Sequence, residues 1–329
     1  MAILKRINQK AKAVINTGFG TNNSDYGSRL VNKNGIPNVE KRGISFLKRI
    51  SWFHSLLQMG SGKFLGILLL FYIVVNFLFA TIYYFIGAAH LGGMNATSEL
   101  GKFGEAYFFS AQTFTTVGYG RINPTGFLTS AVAAFEALVG LLSFAIATGL
   151  FYGRFSKPKA YLAFSQNAVL APFRDGLAIM MRIAPYKNNN LTDAEAKITA
   201  GLTIEENGKF INKFFLLDLE YSIVNALTLS WTLVHPITEE SLFYKFSKED
   251  FNNCKGELLI FVKAFDDMFS NTVVARSSYT LNEIVVGARF IPMYHRSEES
   301  NSTVLDFDKL NSYIEVDING LLASDKTAD

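Results

Sequence analysis

The sequence predicts a two-part chain: a membrane-embedded α-helical module of two spanning helices with a re-entrant helix between them, followed by an all-β sandwich. Three observations carry this. Two apolar runs of 26 residues, Phe64 to Ala89 and Phe127 to Tyr152, hold a single charge, Glu136, and the first has Asn76 as its strongly polar member. At 1.5 Å per residue each run reaches about 39 Å, enough to cross a hydrocarbon core of about 30 Å with some tilt. The 37 residues between them, 90–126, are too polar for a third span yet contain a short apolar helix signal from Phe103 to Thr115. A helix of that length does not cross; it fits a re-entrant element, whose ends must be buried in protein or line water. Glu105 is expected in its first turn, where the helix dipole favours a carboxylate. After residue 160 the pattern changes to short β-type runs with turn signals. Lys197 to Glu205 and Lys209 to Glu220 flank Glu206-Asn207-Gly208, a hairpin signal. Asn225 to Val234, Glu257 to Ala264, Thr272 to Tyr279 and Glu283 to Arg289 are further strand candidates, and many short strands indicate a sandwich.

Composition narrows the function classes. The 329 residues include 30 Phe, 14 Tyr and 2 Trp, and only 18% are charged, which excludes a disordered chain. Cys254 is the lone cysteine, so there is neither a disulfide framework nor a zinc-ligand cluster. A net charge of +3 gives no footprint for nucleic acid. No nucleophile triad or phosphate-binding glycine loop supports an enzyme, and no cofactor is implied. His54, His90, His235 and His295 are isolated and read as structural, with His54 or His235 as candidate pH sensors.

Eleven Lys and Arg precede Phe64, two lie between the runs, and Arg154, Lys157 and Lys159 follow the second. The positive-inside rule puts both termini in the cytoplasm of a multi-pass protein of the cell (inner) membrane, and nothing before Ser51 resembles a cleaved signal peptide. Residues 16–28 read as a tether. From Gly43 to about residue 60 the apolar residues fall mainly on one helical face, with Lys48 and Arg49 toward the other side, as expected of an amphipathic helix in the cytoplasmic interface, the other reading being a soluble helix packed on the C-terminal domain. The expected organisation is therefore an N-terminal cytoplasmic segment (1–42), an interfacial helix (43–60), a transmembrane module (61–156) and a sandwich domain (157–329) with a disordered tail from Ser324.

Behind the short helix stands Thr116-Val117-Gly118-Tyr119-Gly120. Two glycines permit backbone conformations that a Cβ forbids, so successive carbonyls can turn toward one axis and replace the hydration shell of K+. This run is recognised as the known signature of potassium-selective filters, and its setting between a short helix and two spans strengthens the match. Thr116 can add a hydroxyl ring, while Val117 and Tyr119 wedge outward. One chain supplies one filter strand, so four copies about a four-fold axis are required.

With the flanking motifs RLVNKNGIPNV (29–39), TGLFYGRFSKPKA (148–160) and ARSSYTLNEIVVGARFIP (275–292), the chain resembles the prokaryotic branch of the inward-rectifier potassium channels, from about Arg29 to about Pro292. The resemblance implies a pore domain followed by an immunoglobulin-like cytoplasmic sandwich that continues the ion path. It places Tyr152 where a large side chain closes the cytoplasmic mouth, the other reading being an interfacial anchor. Phe144 falls where strong rectifiers carry an acid that holds polyamines, so weak rectification is expected, with polyamine or Mg2+ as weak pore blockers. Gln112 replaces the usual pore-helix Glu, and the expected carboxylate partner of Arg121 is missing. Glu136 must face protein or water, since a charge at mid-membrane costs about 2.5–3.5 kcal/mol; it supports the back of the filter, or is protonated or paired elsewhere. Gly140 and Gly149 would let the inner helix bend or pack closely, although glycine is common in membrane helices in any case. Lys48, Arg49, Arg154, Lys157 and Lys159 are candidate ligands for anionic phospholipid headgroups, although positive-inside bias produces the same charges. Asp193 and Asp267 match acidic positions on the cytoplasmic ion path, with solvated surface carboxylates as the alternative, and Lys263 stands where many relatives have an acid. A membrane-anchored scaffold with a silent pore and a non-selective cation channel are the rival functions.

Overall fold

The computed structural model describes residues 8, 10–14, 18, 29–45, 51–206, 209–318 and 320–321. The chain divides into two compact units, one formed by residues 42–157 and the other by 1–41 with 158–329.

The first unit begins with α1 (Trp52–Gln58) and α2 (Ser61–Ile86). Of the expected amphipathic helix only these seven residues are helical among those described; Lys48 and Arg49 lie outside the described residues, and 43–45 are not helical. α2 stops before the expected Ala89 because Gly87 takes φ +113°, which breaks the helical path. Strand β1 (Leu91–Gly92) pairs with β2 (Asn123–Pro124), closing the segment that carries α3 (Glu99–Phe114). The re-entrant helix thus starts four residues earlier than the apolar signal, at a Ser98 cap that accepts the Gly101 N–H at 3.1 Å. Glu99, not Glu105, occupies its first turn. The final helix, α3's neighbour α4 (Phe127–Phe155), runs one turn past Tyr152 and ends ahead of Lys157-Pro158, where the proline ring disfavours helix at the preceding residue. Aromatic rings seat α3 on α2: Tyr83 meets Phe109 edge-on at 5.0 Å and Phe77 meets Phe103 at 5.2 Å. Leu69, Leu70, Phe77 and Leu78 of α2 remain exposed apolar side chains, as lipid-facing residues are. Both long helices are long and apolar enough to span a membrane.

The second unit is mostly β-sheet. One sheet has the order β11-β10-β6-β7, with β8 also on β6, where β6 is Leu191–Glu206, β7 Lys209–Leu217, β8 Ile223–Leu227, β10 Gly256–Asp266 and β11 Asn271–Thr280. The other has the order β12-β4-β5-β3, with β9 also on β5; here β3 is Leu162–Phe164, β4 Ala168–Phe173, β5 Gly176–Pro185, β9 Trp231–Pro236 and β12 Ile284–Val286. Leu170, Ile179 and Met181 from one sheet meet Ile198, Leu258 and Val262 from the other in a single buried core. The hairpin expected around Asn207-Gly208 is the β6–β7 pair, its turn residues lying outside those described. Two expected strands are each split. Asn225–Val234 breaks at 228–230, and its halves join different sheets. Glu283–Arg289 breaks at Gly287 (φ +78°) into β12 and β13 (Ala288–Phe290), the latter pairing with β16 (Tyr313–Glu315). Strands β14 (Tyr294–Arg296) and β15 (Thr303–Leu305) form a further ribbon, and α5 (Lys248–Asn253) is closed by a Ser247–Asp250 capping box.

N-terminal residues pack on this second unit. Val31 and Pro37 form a bridge, the N–H groups of Leu30 and Val31 donate to the buried Glu257 carboxylate at 2.6 and 3.2 Å, and Ser277 and Ser278 hydroxyls donate to the Lys33 and Val31 carbonyls. Of the expected tether only Gly18 is described, and the tail from Ser324 lies outside the described residues.

Candidate functional site

The residues expected to form the filter, 116–120, follow α3 directly. Backbone φ is positive at Thr116 (58°), Gly118 (53°) and Gly120 (82°), while Val117 and Tyr119 are not in that region. Alternating backbone hand turns successive N–H groups to one side and leaves successive carbonyls to the other. The N–H groups of Val117 and Gly118 both donate to the Gln112 carbonyl, at 2.9 and 3.3 Å. Among the described residues, no hydrogen bond engages the carbonyls of 116–120. Gly118 and Gly120 supply positive φ at no steric cost; Thr116 adopts it with a Cβ, a strained geometry of the kind concentrated at functional sites. The Gln112 main chain therefore holds the start of the 116–120 strand. Val117 and Tyr119 are exposed in the single chain.

Behind the filter, the sequence-based expectation for Arg121 is corrected. Its guanidinium does have a carboxylate partner, Glu105, at 3.0 Å, about two helical turns N-terminal to Gln112. Glu105 also accepts the Asn95 and Ala96 N–H groups at 2.9 and 3.2 Å, so it ties the loop before α3 to the residue after the filter. Glu136, fully buried, accepts from the Tyr83 hydroxyl at 2.6 Å and lies in hydrogen-bond contact with Ser110 Oγ, which is 3.1 Å from Asn76 Oδ1. These contacts join α2, α3 and α4 around one point. Ser110 and Tyr83 were not legible as members; the lone polar residues Asn76 and Glu136 in otherwise apolar runs were the available signal. Gly140 lies against the end of α3, whereas Gly149 has no neighbour there.

Phe144 within α4 and Tyr152 in its last turn are both exposed in the single chain. Arg154 differs from a free lipid-binding base: it donates to the Leu56 and Met59 carbonyls at 2.6 and 2.8 Å and stacks over Phe64. It thus satisfies carbonyls that α1 leaves unpaired at its C-terminal end. Lys157 and Lys159 are exposed, the latter 5.8 Å from the Tyr161 ring centroid. In the second unit Asp193 is a bulge residue with φ +46°, and Asp267 donates its N–H to the Asn190 carbonyl, which puts both at the same end of the β6–β10 pair. Lys263 pairs in register with Glu195, itself 2.9 Å from Lys197. His235 is buried; its Nδ1 donates to the Asp218 carbonyl at 2.6 Å, leaving Nε2 to accept from Ser241 Oγ at 2.7 Å. Burial lowers its pKa, the Asp218 carbonyl opposing the shift.

A filter strand between two spanning helices, joined to a sandwich, defines a potassium channel of the two-helix class. The comparisons agree. Residues 162–328 match the inward rectifier potassium channel C-terminal domain, and 67–157 match an ion channel family. The chain is 31% identical over 271 residues to inward rectifier potassium channel Kirbac3.1 of Paramagnetospirillum magnetotacticum, covering 81% of this chain and 89% of that one. It is 25% identical to inward rectifier potassium channel irk-1 of Caenorhabditis elegans, over 87% of this chain and 56% of the relative. To ATP-sensitive inward rectifier potassium channel 12 of Bos taurus it is 27% identical, over 88% and 72% respectively. The chain belongs to the inward rectifier potassium channel family, and is a membrane protein with K+ as its permeant ion.

Proposed function

We propose that four copies assemble around the 116–120 strands as a K+-selective, weakly rectifying channel of the cell membrane, gated at the inner-helix mouth and regulated by anionic lipid. The observation that carries this reading is the alternation of backbone hand at Thr116, Gly118 and Gly120, with the Val117 and Gly118 amides drawn to Gln112 and the carbonyls left without a partner among the described residues. Backbone oxygens in that state are what a dehydrated K+ requires.

Ions would enter from the cytoplasm past Asp193 and Asp267, pass a ring of Tyr152 side chains, and reach a cavity lined by Phe144. Tyr152 would gate by bringing four apolar rings together, which expels water from the constriction. Phe144 offers polyamine or Mg2+ no charge, and Lys263 would weaken the cation-attracting field of Asp193 and Asp267. Lys157 and Lys159 would bind phospholipid headgroups, with Lys48 and Arg49 contributing from the segment before α1. Arg154 would couple α1 to α4. Both termini would be cytoplasmic, since the basic residues cluster before the first span and after the second. The interfacial segment, with Trp52–Gln58 as its described helical part, the pore domain and the sandwich would occupy 43–60, 61–156 and 157–329.

Tracer uptake into liposomes of defined lipid, with Na+ as competitor, tests the reading. Ba2+-sensitive uptake that Na+ fails to displace, rising with anionic lipid, is expected. Comparable Na+ and K+ flux would make it a non-selective cation channel, and no flux at any lipid composition would favour a scaffold with a silent pore.

A further inference from the structure

We propose that Glu136 is held as a neutral carboxylic acid, and that its proton completes a relay, Tyr83–Glu136–Ser110–Asn76, fastening the pore helix to both spanning helices. The functional consequence rests on the channel reading above; the proton assignment rests on hydrogen-bond geometry.

The hydrogens can be assigned one contact at a time. The Tyr72 carbonyl can only accept, so the Asn76 amide nitrogen is the atom that faces it at 2.7 Å. That fixes Asn76 Oδ1 toward Ser110 Oγ, 3.1 Å away. Oδ1 also only accepts, so the Ser110 hydroxyl hydrogen belongs to that contact. The Tyr83 hydroxyl donates its own hydrogen to Glu136 Oε2 at 2.6 Å. The contact that remains, Ser110 Oγ with Glu136 Oε1, needs a hydrogen that neither hydroxyl has left. A proton on Oε1 supplies it: the acid donates to Ser110, and Ser110 donates to Asn76. An ionised Glu136 would leave three contacts sharing two hydrogens, with oxygen lone pairs opposed on one side of Ser110. An unmade hydrogen bond at a buried site is costly, so the protonated arrangement is favoured.

The surroundings offer nothing to stabilise a charge. Glu136, Ser110 and Asn76 are fully buried. Tyr83 of α2 is the titratable side chain that faces Glu136, and it is a hydrogen-bond donor without positive charge. On α3, Lys102 is paired with Glu99, which also accepts from Tyr84 of α2, and Glu105 is paired with Arg121; Tyr107 packs on Phe108. Among the described residues no cation contacts Glu136. Ser110 stands two residues before Gln112, whose carbonyl gathers the Val117 and Gly118 amides. The relay therefore positions the part of α3 from which the filter hangs.

The test uses the full-length channel in liposomes. The infrared difference between the unsubstituted protein and Glu136→Gln should show a carboxylic acid C=O band at neutral pH that shifts in D2O; carboxylate bands in its place would overturn the assignment. Tyr83→Phe, which removes the donor to Oε2, should shift that same band, and an unmoved band would count equally against it. Glu136→Gln can donate to Ser110 and accept from Tyr83 as the acid does, so it should rescue the K+ over Na+ flux ratio lost in Glu136→Ala to within about fivefold of the original, the size of one net hydrogen bond. Equal loss in both variants would overturn the relay. Absence of the acid band leaves the K+ reading intact, whereas comparable Na+ and K+ flux through the unsubstituted protein would fail that reading without touching the proton assignment.

Discussion

Gly140 lies directly against the carbonyl oxygen of Phe114: a Cβ placed on the glycine would fall 1.9 Å from that oxygen. The inner helix therefore approaches the last turn of the pore helix at a distance only a hydrogen side chain permits. Gly140→Ala must push α4 away from α3, and overpacking of this kind costs about 1–3 kcal/mol. The tetramer should unfold at lower temperature and lose K+ over Na+ selectivity. Gly149→Ala, which meets no atom within 4 Å in the chain and replaces a helix-interior glycine, should not lower the unfolding temperature. Equal behaviour of the two variants would contradict the packing argument.

Glu105 and Arg121 should respond unequally to substitution. Arg121 is more than half exposed, so truncating it removes a solvent-screened ion pair and a long contact to the Gly93 carbonyl, a small loss. Glu105→Ala also strands the Asn95 and Ala96 N–H groups, so it should destabilise the filter more than Arg121→Ala does. Selectivity measured across a double-mutant cycle checks the order.

Arg154 and the two following lysines separate under lipid titration. Arg154→Lys gives up the planar fork that reaches two carbonyls at once, so basal flux should change at every lipid composition. Replacing Lys157 and Lys159 by Gln should instead weaken the dependence on anionic lipid, by about 1 kcal/mol per charge. Flux measured against the anionic-lipid fraction distinguishes them; identical effects would remove the assigned division of labour.

Phe144→Asp should convert shallow spermine block into steep, voltage-dependent block, because a ring of four carboxylates in the cavity attracts polycations where four phenyl rings do not. Steep block of the unsubstituted channel that survives neutralising Asp193 and Asp267 would contradict weak rectification.

His235 sets a pH dependence of stability. Its folded pKa lies below the ordinary value of about 6.5, mainly through burial. Below that value the unfolded chain takes up a proton that the folded chain refuses. Stability contributed by neutral His235 is therefore constant above about pH 6.5 and falls as pH drops from there toward the folded pKa. Thermal unfolding of the full-length protein should show this acid-side decline, and His235→Gln should flatten it. A midpoint that rises on acidification would refute the sign.

Much of the architecture was legible because membrane and sheet physics act on local patterns. Both spans, the re-entrant helix and the β6–β7 hairpin follow from run length and turn residues. Boundaries went astray where a residue outside the pattern decided them. Ser98 began α3 a turn early, Gly87 ended α2 early, and the 228–230 break sent the halves of one apparent strand to different sheets. The site was legible in part for the same reason. Thr116 to Gly120 announce themselves as contiguous residues, while Glu105 as the partner of Arg121 is separated from it by 16 positions and invisible to spacing.

By itself the sequence determined the membrane spans, the filter strand and the sandwich, because hydrophobic length, glycine placement and strand alternation are properties of consecutive residues. The tertiary structure alone decided which polar groups meet: Arg121 with Glu105, Arg154 with the end of α1, and Glu136 with Ser110 and Tyr83. Those pairings arise where helices distant in sequence bury donors and acceptors together, and a buried polar group takes whatever partner packing brings within reach.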